Sequence, residues 1–157
     1  MSRVLTFLVP LLSISLAVAP APAQSLEDEV LEVVDRLMMS IGDADSVTAA
    51  SLFHPEARLV IIDSGTERRS VRVSPTQAFT STVAQSAGRF EERVWDPQVL
   101  FDGDLALVWA PYDFHVDGQF SHCGVDAFHL TRGAEGWRFI SIIYTRRTEG
   151  CERPPDR

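Results

Sequence analysis

The sequence predicts an α+β fold in which N-terminal helices pack on one face of a curved, mostly antiparallel sheet. Apolar residues recur at helical spacing after residue 25, whereas residues 105–151 alternate as three consecutive long strands. A short turn signal, Asp117-Gly118, joins the first two of these strands and makes them antiparallel. Helices followed by a run of antiparallel strands are typical of the α+β class.

Three helices are expected, and each has a boundary signal. The first begins at a capping serine followed three residues later by aspartate, and it ends at a glycine. The second ends before a proline, which disfavours helical backbone in the preceding residue. The third begins at a capping box with proline at its first position. The predicted helices run from Ser25 to Gly42, from Ser46 to about Phe53, and from Ser74 to about Ser86.

The remaining strands are predicted from alternating runs between turns. Pro97 lies inside one of them and indicates an edge strand or a bulge. The expected strands before residue 105 are Leu59–Asp63, Arg68–Ser74 and Phe90–Phe101.

The N-terminus has the pattern of a secretory signal. Arg3 is followed by an apolar run over residues 4–18 and by an A-x-A site that ends at Ala23. The run is too short to span a membrane, although a retained anchor is the alternative. We therefore expect a signal peptide over residues 1–23, a single domain over 24–151 and a polar tail over 152–157. The expected location is the bacterial periplasm or the medium.

Charge and cysteine content limit the partners. The formal net charge is −8. An acidic protein is a poor match for nucleic acid or an anionic membrane, so neither is expected as a partner. Two cysteines in an exported chain predict a Cys123–Cys151 disulfide, with two free thiols as the alternative.

Three segments resemble a known superfamily. They are 52–59 (LFHPEARL), 121–128 (SHCGVDAF) and 136–139 (GWRF). They resemble the nuclear-transport-factor-2-like superfamily, also called SnoaL-like or cystatin-cone, and within it a bacterial branch named for lumazine binding. The resemblance implies helices on the concave face of a cone-like sheet, with a pocket at one end. The superfamily contains enzymes, binding proteins and assembly modules, so it assigns no function by itself.

The Asp117-Gly118 turn allows the strands to be registered. It pairs Val116 with Gln119, and a regular ladder then places Trp109 opposite Asp126 and Asp113 opposite His122. The same register places Tyr112 on the other face of the sheet.

This register predicts a polar cluster at one end of an apolar face. Asp113 would orient His122 and raise its pKa, which makes His122 a candidate acid or base. Asp126, beneath Trp109, would be a second candidate. The predicted catalytic residues are His122, Asp126 and Asp113, and the predicted ligand-binding residues are Trp109, Asp126, His122, Thr145 and Arg147.

Other interpretations of these residues remain open. Asp113 and His122 could form a solvated ion pair, and Asp126 could pair with an arginine. A metal site built from His115, Asp113 and His122 lacks a fourth ligand and a familiar spacing. We therefore expect no metal and no cofactor.

The opposite face of the sheet is expected to carry small, apolar side chains. Because such a face is not expected to remain in water, we predict that two copies form a homodimer through the sheet. The alternative is that the two faces are inverted and this one is the monomer core. Its residues are Ala106, Val108, Ala110, Val125, Ala127, Ile140 and Ile142.

Three functions fit the sequence. The favoured one is an exported domain that binds a small molecule, aromatic or heterocyclic, in an apolar pocket with a few polar groups. The second is an isomerase or dehydratase that uses a His or Asp general base. The third is a non-catalytic dimeric assembly module.

Overall fold

The structure is a computed structural model that describes residues 25–65, 69–86, 88–152 and 154–155. The predicted signal peptide lies outside the described residues. The helices are α1 Leu26–Gly42, α2 Ser46–Ser51 and α3 Thr76–Ala84. The strands are β1 Phe53–Ser64, β2 Arg69–Pro75, β3 Phe90–Val94, β4 Gln98–Asp102, β5 Leu105–Val116, β6 Gln119–Gly133 and β7 Gly136–Arg146.

The strands form one curved sheet. Their order is β2-β1-β7-β6-β5-β3, and β4 pairs with β5. β1 and β7 are parallel, while the other neighbours are antiparallel. Buried side chains of α1, such as Val30 and Leu37, pack with Phe128 and Phe139 of the sheet. The predicted α+β class, with N-terminal helices on one face of a mostly antiparallel sheet, is confirmed.

Helix α1 begins as predicted. The Ser25 hydroxyl accepts a hydrogen bond from the Asp28 N–H at 3.1 Å, and the Asp28 carboxylate accepts one from the Ser25 N–H at 3.2 Å. The helix buries the face that carries Val30, Leu37 and Ile41. None of the helices among the described residues is long and apolar enough to cross a membrane.

Three boundaries differ from the prediction. β1 begins at Phe53 rather than Leu59, because the residues around Pro55 adopt extended backbone. α3 begins at Thr76, and its N-cap Pro75 makes no side-chain hydrogen bond, so the predicted capping box is not formed. The predicted strand over residues 90–101 is two strands, separated by a segment in which Asp96 has a φ of 45°.

The predicted disulfide is present. Cys123 and Cys151 are joined across a sequence separation of 28 residues, with their Cα atoms 5.8 Å apart. The backbone of Cys123 also pairs with that of Arg147 in both directions, at 2.9 Å each. The bridge therefore attaches the C-terminal segment to β6. A disulfide is compatible with a location outside the cytoplasm.

Two β-bulges affect β6 and decide which side chains face the helices. The Asp117-Gly118 turn has positive φ at both residues, and His115 pairs with Phe120 as predicted. The register then shifts by one residue, so Phe114 pairs with His122. A second shift lies between His129 and Leu130 and changes the pairing with β7. Each shift exchanges inward and outward side chains relative to the neighbouring strand.

The predicted register is therefore wrong beyond the bulges. Trp109 lies opposite Ala127, not Asp126, and Asp113 lies opposite Cys123, not His122. The helix-facing side of β5 carries Ala106, Val108, Ala110, Tyr112 and Phe114.

Candidate functional site

A pocket lies at one end of the molecule between the helices and the sheet. Its cavity volume is about 210 Å³, and it opens to solvent on one side. Its wall is mostly apolar, and the helices and strands both contribute to it. Apolar lining residues include Leu37, Ile41, Phe79, Phe90, Phe114 and Phe128. This volume is below the roughly 300–1,000 Å³ of drug-sized ligand sites, so the pocket suits a small molecule.

Two carboxyl groups share the inner wall of this pocket. Asp126 of β6 is 2% exposed, and its side chain hydrogen-bonds with that of Glu92 of β3. Burial and the neighbouring Glu92 raise the pKa of Asp126 well above its usual range. Burial also raises the pKa of Glu92 to about 7. At neutral pH Asp126 therefore keeps its proton and donates to the Glu92 carboxylate.

Glu92 was not predicted as a site residue. It pairs with Phe114 across the β3–β5 ladder, on the side that faces the helices. Phe90 and Val94 share its face, because side chains alternate along a strand. A glutamate between two apolar residues of one strand face is a signal for a buried carboxyl group that the sequence analysis did not use.

His122 lines the pocket in a neutral form. Its ring stacks on Phe114 with the centroids 5.0 Å apart, and its Nδ1 lies 3.0 Å from the Ser121 hydroxyl. Burial lowers the pKa of His122 to about 4, and the charge of Arg146 adds to that effect. The predicted increase of its pKa by Asp113 is therefore wrong. At neutral pH the imidazole offers one donor or acceptor nitrogen and no charge.

Two tyrosines complete the polar part of the wall. The Tyr112 hydroxyl donates to the Thr145 carbonyl at 2.9 Å. Burial raises the pKa of Tyr144 to about 12. Tyr112 lies on the same face as Asp126, contrary to the prediction, because the bulge lies between the turn and this part of the ladder. Both phenols remain protonated at neutral pH.

Asp113 lies on the opposite side of the sheet from the pocket. It is 5% exposed and binds the Arg93 guanidinium through both oxygens, with Nε at 2.7 Å from Oδ1. His115 Nδ1 is 3.6 Å from the same oxygen. The predicted Asp113–His122 pair is not formed. The two histidines of the considered metal site lie on different faces, and no metal-binding cluster occurs among the residues that the structure describes.

The other predicted ligand residues also lie outside the pocket. Trp109 is 48% exposed on the outer face. The Thr145 hydroxyl accepts from the Val125 N–H at 3.0 Å, and Arg147 Nε donates to the Gly150 carbonyl at 3.2 Å. Of the predicted site residues, the structure brings His122 and Asp126 together in the pocket.

The face predicted for dimerisation combines residues from both sides of the sheet. Ala106, Val108 and Ile142 belong to the core beneath the helices, as the inverted alternative expected. Val125 and Ala127 instead pair with outward-facing residues of β5, Pro111 and Trp109.

The wall can bind the polar edge of an otherwise apolar molecule. Asp126 and Glu92 lie together on the wall and are hydrogen-bonded to each other. Asp126, His122 and Tyr144 together present uncharged donors and acceptors to such a molecule.

Comparisons with known proteins identify the fold. No protein-family model matches the sequence, and no curated protein matches it significantly. Several solved structures match the fold of this chain.

A nuclear-transport-factor-2-like protein of unknown function from Shewanella baltica has 16% identity and a TM-score of 0.60, and the match covers 82% of this chain and 100% of that one. A protein with a cystatin-like fold from Nostoc punctiforme has 12% identity, a TM-score of 0.62, and coverage of 80% and 92%. A Streptomyces avermitilis protein, provisionally named a dehydratase of the nuclear-transport-factor-2-like family, has 16% identity, a TM-score of 0.61, and coverage of 76% and 94%. This chain therefore has the fold of the nuclear-transport-factor-2-like proteins, as its sequence motifs indicated.

Proposed function

We propose that this chain is an exported domain that binds a small, largely apolar molecule in the pocket between its helices and its sheet. The observation that carries the proposal is a mostly apolar cavity whose wall bears the Glu92–Asp126 carboxyl pair. Export is supported by the signal-like residues 1–23 and by the disulfide. The mature protein would be the domain 24–151 with the tail 152–157.

An aromatic or heterocyclic ligand fits the wall best. The rings of Phe79, Phe90 and Phe114 offer stacking or edge contacts, and His122 already stacks on Phe114. Asp126 and Tyr144 would bind polar atoms on the edge of the ligand ring. Lumazine, after which the resembled branch is named, is one heterocycle of this class.

Mass spectrometry tests the proposal on the exported protein. A non-covalent mass that is present in the native spectrum and absent from the denatured spectrum would identify a bound molecule. A protein that is empty natively requires a second measurement, the binding of the neutral dye N-phenyl-1-naphthylamine. Its fluorescence rises when it enters an apolar site.

Two variants of α3 form a matched pair for the dye measurement. Thr82 lines the pocket and is exposed, so Thr82→Trp should block the entrance without burying new volume in the core. Ser81 is exposed and does not line the pocket. We expect Thr82→Trp to lose dye binding and Ser81→Trp to keep it. Equal binding by both variants would contradict the proposed site.

The carboxyl pair supports a second candidate, proton transfer to and from a bound substrate. A general base works best when its pKa is near the working pH, and the pKa of Glu92 is raised to about 7. Glu92 would remove a proton from carbon beside a carbonyl, and the Tyr144 hydroxyl would donate a hydrogen bond to the enolate oxygen. The provisional name of the Streptomyces protein, a dehydratase, belongs to the same reaction class.

Deuterium exchange tests this candidate without a known product. An apolar bicyclic ketone, 2-tetralone, would be incubated with the protein in D₂O, and its mass would be followed. Catalysis predicts that the wild type speeds exchange and that Glu92→Gln abolishes the gain, while Trp109→Ala leaves it intact because Trp109 is on the outer face. Equal exchange with wild type and Glu92→Gln would leave binding as the function.

A further inference from the structure

We propose that the pocket selects amphipathic anions, molecules with an apolar body and one terminal carboxylate or sulfonate that is held at the entrance by Arg72 and Arg146. This inference rests on the proposed binding function and specifies the class of its ligand.

The sheet register places both arginines beside the pocket. Arg72 of β2 pairs with Ile61 of β1, and Ile61 pairs with Tyr144 of β7, which lines the pocket. These three residues form one row on the helix-facing side. Arg146 follows Tyr144 by two residues and therefore points to the same side.

Neither guanidinium is neutralised by a direct ion pair among the described residues. The nearest carboxylate in the register is Asp63, which pairs with Arg146 across β1 and β7. Its Oδ2 instead accepts a hydrogen bond from the Ser70 hydroxyl at 3.0 Å. Arg72 and Arg146 are both exposed, so their donors are available to an anion.

The charge distribution gives the ligand an orientation. The inner wall carries the Glu92–Asp126 pair, whose negative charge would repel an anionic group. In the sheet register Tyr144 lies between Asp126 and Ile61, and Ile61 pairs with Arg72, so Arg72 is on the far side of Tyr144 from the carboxyl pair. Besides burial, Arg146 lowers the pKa of His122, and the Asp63 carboxylate acts on it in the opposite direction. An anion would therefore remain at the entrance while the apolar body enters.

The charge of the two arginines is opposite to the overall charge of the chain. The chain has a formal net charge of −8, so the protein as a whole repels anions. Arg72 and Arg146, which form no ion pair within the described part of the chain, are a local exception beside the apolar pocket. An uncharged ligand would gain nothing from them.

A pair of dyes with the same aromatic body separates the anion from the apolar contribution. They are 8-anilino-1-naphthalenesulfonate and its neutral counterpart N-phenyl-1-naphthylamine. Dissociation constants would be measured by fluorescence for the wild type and for Arg146→Gln, Arg72→Gln and Thr82→Trp. Arg138→Gln is the matched control, because Arg138 lies on the same strand as Arg146 and pairs with Glu135.

We expect the wild type to bind the sulfonate about 10-fold more tightly than the neutral dye. Each of Arg146→Gln and Arg72→Gln should weaken the sulfonate about 5- to 10-fold, the usual scale for one charge-assisted contact. The neutral dye should change by less than about 2-fold, and Arg138→Gln should change neither.

The outcomes distinguish the two proposals. Equal affinity of the wild type for both dyes, or equal weakening of both dyes by Arg146→Gln, would overturn the anion selectivity and leave the pocket intact. No binding of either dye, or unchanged binding of both by Thr82→Trp, would overturn the proposed pocket function and this inference with it.

Discussion

The Asp126 side chain is fully buried although it is ionisable, and burial disfavours its charged form. Its pocket is lined mainly by aromatic and aliphatic side chains, which cannot compensate a carboxylate charge. Keeping the proton is the less costly state, and it allows a hydrogen bond to Glu92. The same state leaves the pocket wall without a charge at Asp126. The group that indicates the site should therefore also make the protein sensitive to pH.

The first prediction is a loss of stability as the pH rises from 6.5 to 8. In the unfolded chain both carboxyls are ionised in this range, whereas the native protein keeps the proton of Asp126 and part of that of Glu92. The native state thus binds more protons, so the free energy of unfolding decreases with pH. We expect a decrease of about 1.5–2 kcal/mol per pH unit, measured by urea unfolding, because each extra proton bound by the native state contributes about 1.4 kcal/mol per unit.

The variant Asp126→Asn is the control for this prediction, since it keeps the shape and removes one titrating group. Its stability should decrease less over the same interval. His122 opposes the trend only weakly, because its native pKa of about 4 and unfolded value of 6.5 place most of its contribution below pH 6.5. There the sign is opposite, because the unfolded state binds the extra proton. A wild-type stability that is flat between pH 6.5 and 8 would show that the pair is not buried as described.

The second prediction concerns Gly124, which lies beside Asp126 in β6. A Cβ atom built at Gly124 would be 1.9 Å from the Thr145 carbonyl oxygen, which accepts the Tyr112 hydroxyl. Backbone cannot move aside as a flexible side chain can, so Gly124→Ala should destabilise the protein by about 3 kcal/mol or more. Chemical denaturation measures the effect. Gly133→Ala is the control, because a Cβ there meets nothing within 4 Å. Equal stability of the two variants would contradict this packing.

At the level of elements, the sequence predicts what depends on local signals. The α1 capping box and the Asp117-Gly118 turn follow from residue types at short spacings, the disulfide follows from two cysteines in an exported chain, and all three are present. The pairing of β5 with β6 is also right from the turn to His115 and Phe120. Beyond that pair the prediction fails, because a bulge is set by tertiary packing of the sheet and has no signal in the alternation.

The same reasoning explains which site residues were predicted. His122 and Asp126 both lie in β6 between its two bulges, where alternation is uninterrupted, so their common face could be predicted. Trp109 and Asp113 were assigned across the first bulge and are found on the other face. Glu92 lies on a strand that no turn connects directly to β6. Its proximity to Asp126 is a tertiary fact that local patterns do not contain.

The third prediction is that the disulfide contributes substantially to stability. It closes a segment with a sequence separation of 28 residues, and the chain-entropy estimate for such a loop is about 3–4 kcal/mol. The variant Cys123→Ala with Cys151→Ala should lose that amount in urea unfolding without reductant. The wild type in reductant should fall to a similar stability. An unaffected reduced protein would mean that the C-terminal segment is held by other contacts, such as the Cys123–Arg147 backbone pair.

At the scale of the whole molecule, the outer face of the sheet is unusually apolar. The register aligns one row across five strands, and a second row lies beside it. The first row is Val73, Val60, Ile143, Ala127 and Trp109, and the second includes Val71, Ile62, Val125 and Pro111. Val71 is 67% exposed and Trp109 48%. The helices pack on the other side of the sheet and do not cover these rows, in which Val71, Val73 and Trp109 are exposed.

The last prediction is therefore that two copies associate through this outer face. A contiguous apolar surface of this kind marks an interaction site, and a two-fold axis would bury the same residues on both copies. We expect light scattering after gel filtration to give the mass of a dimer. Trp109→Glu should shift it towards the monomer, because each interface would then contain two buried charges. Val47→Glu replaces an exposed apolar residue of α2, 79% exposed, and should leave the dimer intact.

A monomeric wild type, or a dimer unchanged by Trp109→Glu, would contradict this assembly. Neither result would affect the pocket, which each chain builds from its own residues on the opposite side of the sheet.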